Sequence, residues 1–238
     1  MDLNQYYKDL ISSSESTLDQ SLRRVNDLAK VHIFVEDLLL WNTILYTRVG
    51  TTVIKYSAGE IQLSALSLAY GLYRQAFTSL RLSLELSLSS IFFSTNELQF
   101  REWEQGKGDI YWSQLIDATS DTNSGIFSKR YAKAFFPELE NIVLEYNNLA
   151  KETYRNLSEF VHGNSYTREI SISSIGFNEV LFNAWTSNFE KVSRIISFGL
   201  TLRFLKTLNT NEVNSLKTHL QEHLGTISAV RAVFGGAV

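Results

Sequence analysis

The stretch TYRNLSEFVHGN, Thr153 to Asn164, sets an arginine and a histidine seven positions apart in a polar–apolar run that stops at a glycine. Seven residues is two helical turns, so Arg155 and His162 project from nearly the same side of a helix. These two residue types suit one chemistry in particular. A histidine, which titrates near neutrality, can take a proton from a hydroxyl or return one. A guanidinium fork matches the oxygens of a phosphate that gains charge in a transition state. Together they could form a phosphate-handling pair, or they could be two solvated side chains. Lys151 lies one turn before Arg155, Asn156 follows it directly, and Ser158 and Glu159 fall between the pair. The competing reading is structural: Arg155 pairs with Glu159 one turn on, and His162 simply suits a helix C-terminus.

Spelled loosely, an arginine followed after four to six residues by a histidine is expected about 0.6 times by chance in a chain of this composition, so context has to carry the reading. Of the other histidines, His219 and His223 in HLQEH match the H-x-x-E-H spelling of zinc peptidases. That class takes a further glutamate well downstream, and none of the 15 residues after His223 is acidic. HLQEH therefore reads as a polar face on a terminal helix, and no metal site is expected. His32 sits in an apolar stretch and reads as a core or boundary histidine. SKRYAK, Ser128 to Lys133, offers basic residues for phosphate, although a short basic run is usually a solvated face.

These residues need elements to hold them. In 238 residues there is one proline, Pro137, and there are 12 glycines, which favours long helices over many short strands. A 44% hydrophobic content fills a sizeable core. The absence of cysteine excludes disulfides, thiolate metal sites and a cysteine nucleophile. The net charge of −3 argues against a chain that coats itself in nucleic acid but allows a small basic pocket. MDLNQYYKDL has no signal pattern and no apolar run is long enough to span a bilayer, so the expectation is a cytoplasmic protein without membrane contact.

Two helices are expected over residues 3 to about 47, the first polar and outward or partner-facing. GTTVIKYSAGE reads as a connector, with a helix start at Ser57 to Glu60. One helix is expected from Glu60 to about Ser94. LRLSLELSL, Leu80 to Leu88, alternates like a strand, but leucine is a helix former and the run before it is helical. As a helix it carries two stripes, Leu80/Leu84/Leu88 and Leu82/Leu86, with Arg81 and Glu85 paired between them. Residues 96–136 read as loops with short helices. Pro137 then opens a long helix ending at His162, with Gly163 as its cap. REISISSIGF is the best strand candidate, in a short hairpin or edge. Helices over about Glu179 to Leu208 and Glu212 to Leu224 follow, and GTISAVRAVFGGAV is assigned no structure.

From about Gly59 to Leu208 the chain resembles the HEPN superfamily of all-helical domains, many of which are metal-independent RNases. Their signature is an arginine, usually followed by a polar residue, then a histidine four to six residues further on. RNLSEFVH matches it with six intervening residues. GLYRQAFTSLRLSLELSL resembles the long second helix of such domains, with Glu85 where many members carry an acidic residue.

The resemblance implies an all-α fold, a HEPN-like antiparallel helical bundle; the extra N- and C-terminal helices have no counterpart in it, and REISISSIGF leaves room for one short β-hairpin. It would be a single domain over residues 1–238, with an N-terminal helical part (1–58), a motif-bearing core (59–208) and a C-terminal helix and tail (209–238). It also implies an endoribonuclease acting as a toxin or defence effector, with Arg155 and His162 catalytic. Asn156, Lys151, Ser158, Glu159 and Glu85 would support the site or bind RNA. In some paired systems a tyrosine after the histidine is modified, and the nearest here is Tyr166. No cofactor is implied. The partners implied are RNA, a second copy of the chain meeting the first across a two-fold axis, and an antitoxin or defence-system protein. An exposed Leu157 and Phe160 would allow that two-fold contact. Some relatives are inactive, so the alternative is a non-catalytic interaction subunit.

Overall fold

The computed structural model describes residues 2–118, 125–163 and 175–236, and among these every regular element is a helix and none is a strand. In chain order the α-helices are α1 (Leu3–Ser21), α2 (Val25–Ile44), α3 (Val53–Ala69), α4 (Tyr73–Phe93), α5 (Glu97–Glu104) and α6 (Trp112–Ile116). They continue with α7 (Lys129–Phe135), α8 (Val143–His162), α9 (Glu179–Phe204), α10 (Thr210–Ser215), α11 (Lys217–Leu224) and α12 (Ser228–Val233). The expected strand over REISISSIGF falls largely on residues 168–174, outside the described residues.

The centre is α4, which packs against α3, α8 and α9. Its alternating sequence is explained by two neighbours of different kinds. Leu80, Leu84 and Leu88 are fully buried in the main core. Ser83 and Ser87 instead meet α3, where Ser57 Oγ donates to the Ser83 carbonyl at 2.8 Å and lies 2.6 Å from Ser87 Oγ. Short hydroxyl side chains let the two backbones approach and satisfy one another's polar groups. The helical reading of Leu80 to Leu88 is correct, but the second stripe is only partly covered, with Leu82 39% exposed.

Contacts along the helices give their directions. Ser57 meets Ser83 and Ser87, and Ser64 meets Ala76, so α3 and α4 are antiparallel. Phe160 stacks on Phe77 at 3.6 Å while Tyr154 reaches Glu85, so α8 also runs antiparallel to α4. By contrast, Asn178 binds Tyr73 and Arg203 binds Ser94, so α9 runs parallel to α4. Successive core helices α3, α4, α8 and α9 therefore alternate in direction.

Several boundaries differ from expectation. The helix expected from Ser57 begins at Val53, because Val53 and Ile54 are fully buried and their burial outweighs β-branched propensity. The single helix expected from Glu60 to Ser94 is two. Gly71 turns the chain between them at φ 76°, where a Cβ would stand 3.0 Å from Thr17 and 3.2 Å from the Gly176 carbonyl. Pro137 opens a 3₁₀ turn, Pro137–Leu139, and α8 starts only at Val143. The tail contains α12, and the segment expected as one helix over Glu212 to Leu224 breaks at Leu216. Gly163, with φ 60°, caps α8 as expected. No helix among the described residues is long and apolar enough to cross a membrane.

Candidate active site on α8

The core-facing side of α8 is Val143, Tyr146, Asn147, Ala150, Thr153, Leu157 and Phe160, all buried. This spacing of three and four residues fixes the rotation of the helix. At about 100° per residue, Arg155 and His162 then fall nearly opposite Leu157. Both are exposed, as are Lys151 and Asn156, while Ser158 and Glu159 are half-buried. Over seven residues the helix rises about 10 Å, which separates the Cα atoms of the pair along one open face. No side-chain hydrogen bond or ion pair joins Arg155 or His162 to any other described residue, and in particular Arg155 makes no ion pair with Glu159. Ser158 is committed locally, its Oγ donating to the Tyr154 carbonyl at 2.7 Å.

The expected exposure of Leu157 and Phe160 is overturned. Leu157 is 0% and Phe160 7% exposed, because they are the residues with which α8 docks on the core. Any contact between two copies through this helix must use the polar face.

Glu85 lies on the other side of Tyr154, in a half-buried cluster between α4 and α8. Its Oε1 is 3.2 Å from an Arg81 guanidinium nitrogen and accepts the Tyr154 hydroxyl at 2.8 Å. Arg81 also donates to the Tyr154 hydroxyl and lies over its ring, 4.4 Å from the centroid. Trp112 of α6 stacks on the Tyr154 ring with centroids 3.8 Å apart. Burial raises the Tyr154 phenol above its usual range; the hydrogen bond from Arg81 opposes this and Glu85 adds to it. The tyrosine therefore stays a neutral donor to the carboxylate. The Arg81–Glu85 pair agrees with the one-turn spacing, but the structure ties Glu85 into this cluster and does not bring it to the Arg155–His162 face. Tyr154 and Trp112 were not legible as its partners, since they come from distant segments.

One further cation stands near His162. A Cβ built on Gly163 would lie 2.9 Å from Nη1 of Arg74, so this guanidinium rests against the C-terminal end of α8, where a positive charge complements the last carbonyls. In SKRYAK, Lys133 forms an ion pair with Glu140 at 3.2 Å and Tyr131 is buried, so only part of that run faces outward. Tyr166 lies outside the described residues.

Two readings of the remaining histidines are corrected. His32 is exposed, because the apolar run around it is helical and turns that position outward. HLQEH is not a polar face: His219 is 2% exposed and its Nδ1 lies 2.9 Å from Oδ2 of Asp37.

No family model matches the chain, and no curated protein and no solved structure matches it either.

Proposed function

We propose that the chain is a metal-independent HEPN-type endoribonuclease, a toxin or defence effector that cleaves RNA at a composite site formed by two copies. The observation that carries this reading is the contrast between Arg155 and the arginines that the fold employs. Arg24, Arg81 and Arg101 are held by carboxylates, and Arg194 and Arg203 by hydroxyls. Arg155 is held by nothing described and shares an open face with an unpartnered imidazole. A cation and a base left unused by the fold are available to a ligand.

His162 would take the proton from the 2′-hydroxyl as it attacks the adjacent phosphorus, and the 5′-oxygen would leave, giving a 2′,3′-cyclic phosphate and a 5′-hydroxyl end. Arg155 would hold the phosphate oxygens as they gain charge. A leaving oxygen also needs a proton, and a single α8 offers one imidazole. Two α8 helices across a two-fold axis offer a base and an acid together with two guanidinium groups.

The test is cleavage of single-stranded RNA by the wild-type chain, Arg155→Ala and His162→Ala in EDTA. The wild type should cleave and both variants should not. A requirement for added divalent ion, or full activity in both variants, would refute the assignment.

The interaction-subunit reading has its own support. Leu3, Tyr7 and Ile11, at a four-residue spacing along α1, are 63%, 61% and 59% exposed. Tyr56, Leu63 and Leu66 line a shallow groove of about 440 Å³ along α3. A wild-type chain inactive on every RNA tested would favour this second reading.

A further inference from the structure

His219 and His223 stand one turn apart on α11, which packs on α9, while Asp37 reaches them from α2. One donor atom from each of the three lies within 4.8 Å of the other two. His219 has one ring nitrogen against the Asp37 carboxylate, but its Nε2 is buried without a hydrogen-bond partner. That orphan nitrogen points away from Asp37, so an ion shared with the carboxylate would sit on Nδ1 in place of the hydrogen bond. Phe34 closes one side of the cluster, with its ring centroid 6.0 Å from that of His219 and 5.3 Å from that of His223.

We propose that Asp37, His219 and His223 form a binding site for one zinc-type divalent transition-metal ion, which fastens α11 to α2. Two imidazoles and a carboxylate are a donor set for zinc, cobalt or nickel, whereas calcium and magnesium favour oxygen donors throughout. Metal–donor distances of about 2.0–2.2 Å place tetrahedral donors roughly 3.4 Å apart. The Asp37–His219 pair is closer than this at 2.9 Å, and no pair of donors lies farther apart than 4.8 Å. Glu222, the acid within HLQEH, is exposed. The spelling therefore supplies ligands here without a general base beside the metal, and the ion's role is to hold the C-terminal helix.

The test uses the full chain without a polyhistidine tag, stripped with chelator, dialysed and titrated with Co²⁺. One ion per chain should bind and give visible ligand-field absorption that Zn²⁺ abolishes. The thermal midpoint should rise with Zn²⁺ and not with Mg²⁺. His223→Ala and Asp37→Asn should each weaken Co²⁺ binding by more than about tenfold, while His32→Ala and Arg155→Ala should bind as the wild type does. His219→Ala empties a buried position, so the two other ligand variants carry the conclusion if it fails to fold. Absence of saturable Co²⁺ binding by the wild type, or undiminished binding by His223→Ala and Asp37→Asn, overturns the site. Since chelation would empty it, RNA cleavage in EDTA is paired with His223→Ala assayed without chelator, which separates loss of this ion from loss of the nuclease.

Discussion

Arg81 and Arg155 belong to the facing helices α4 and α8, yet the fold treats them differently. Arg81 is one-fifth exposed and bound to Glu85 and Tyr154, so its charge is spent inside the molecule. Arg155 and His162 are exposed and make no side-chain hydrogen bond or ion pair with another described residue, so removing either side chain breaks no such contact among the described residues. Arg155→Ala and His162→Ala should each change stability by no more than about 0.5 kcal/mol, as urea denaturation would show. Tyr154→Phe should cost about 1 kcal/mol, because it removes a hydroxyl that both accepts and donates in a half-buried cluster. If cleavage by Tyr154→Phe falls no further than its folded fraction does, the Glu85 cluster is structural. A specific loss of activity would draw Glu85 back into the site. At this scale the sequence revealed what is local: the seven-residue spacing of Arg155 and His162 and the four-residue spacing of Arg81 and Glu85 are one helix's geometry. Asp37 and His219, 182 positions apart, share no such period.

For whole elements, legibility follows the same division. The α8 cap at Gly163 could be read because glycine alone tolerates φ 60° cheaply. The break between α3 and α4 could not, because SALSLAYGLYRQAF keeps a helical composition straight through Gly71. What ends the helix there is the docking of α1 and the Gly176 backbone against that glycine. Gly71→Ala should therefore destabilise the chain by more than about 1 kcal/mol, from both the positive φ and the approach of Thr17. Thermal denaturation showing a neutral or stabilising effect would remove this account of the turn. The misplaced exposure of Leu157 and Phe160 has a similar origin: a two-sided helix was anticipated, but α8 has one apolar side, and the core uses all of it. Leu157→Ala should cost roughly 2–5 kcal/mol, as expected for emptying a buried leucine site.

Across the whole molecule, one contiguous core runs from Val31 to Val230 and includes residues of α2, α3, α4, α8, α9, α11 and α12. The helix that carries Arg155 and His162 is thus anchored in this core by Leu157 and Phe160, which leaves those two polar side chains exposed. Such a platform suits a site that is completed by a second copy, because the geometry between two such faces is set by the fold. The proposed dimer should appear by sedimentation as a species of twice the chain mass, and Lys151→Glu, which introduces a negative charge on the polar face, should weaken it or the RNA contact. The central claim is that the Arg155 and His162 residues of two chains together cleave RNA. It is tested most directly by adding an excess of the double variant Arg155→Ala/His162→Ala to the wild-type chain, allowing subunits to exchange, and measuring formation of 2′,3′-cyclic phosphate ends. The account predicts that cleavage per wild-type chain falls toward zero as mixed dimers form, since each mixed dimer holds a single imidazole and lacks the acid. A wild-type chain that yields no cyclic phosphate, or single variants that cleave as well as the wild type, would contradict it.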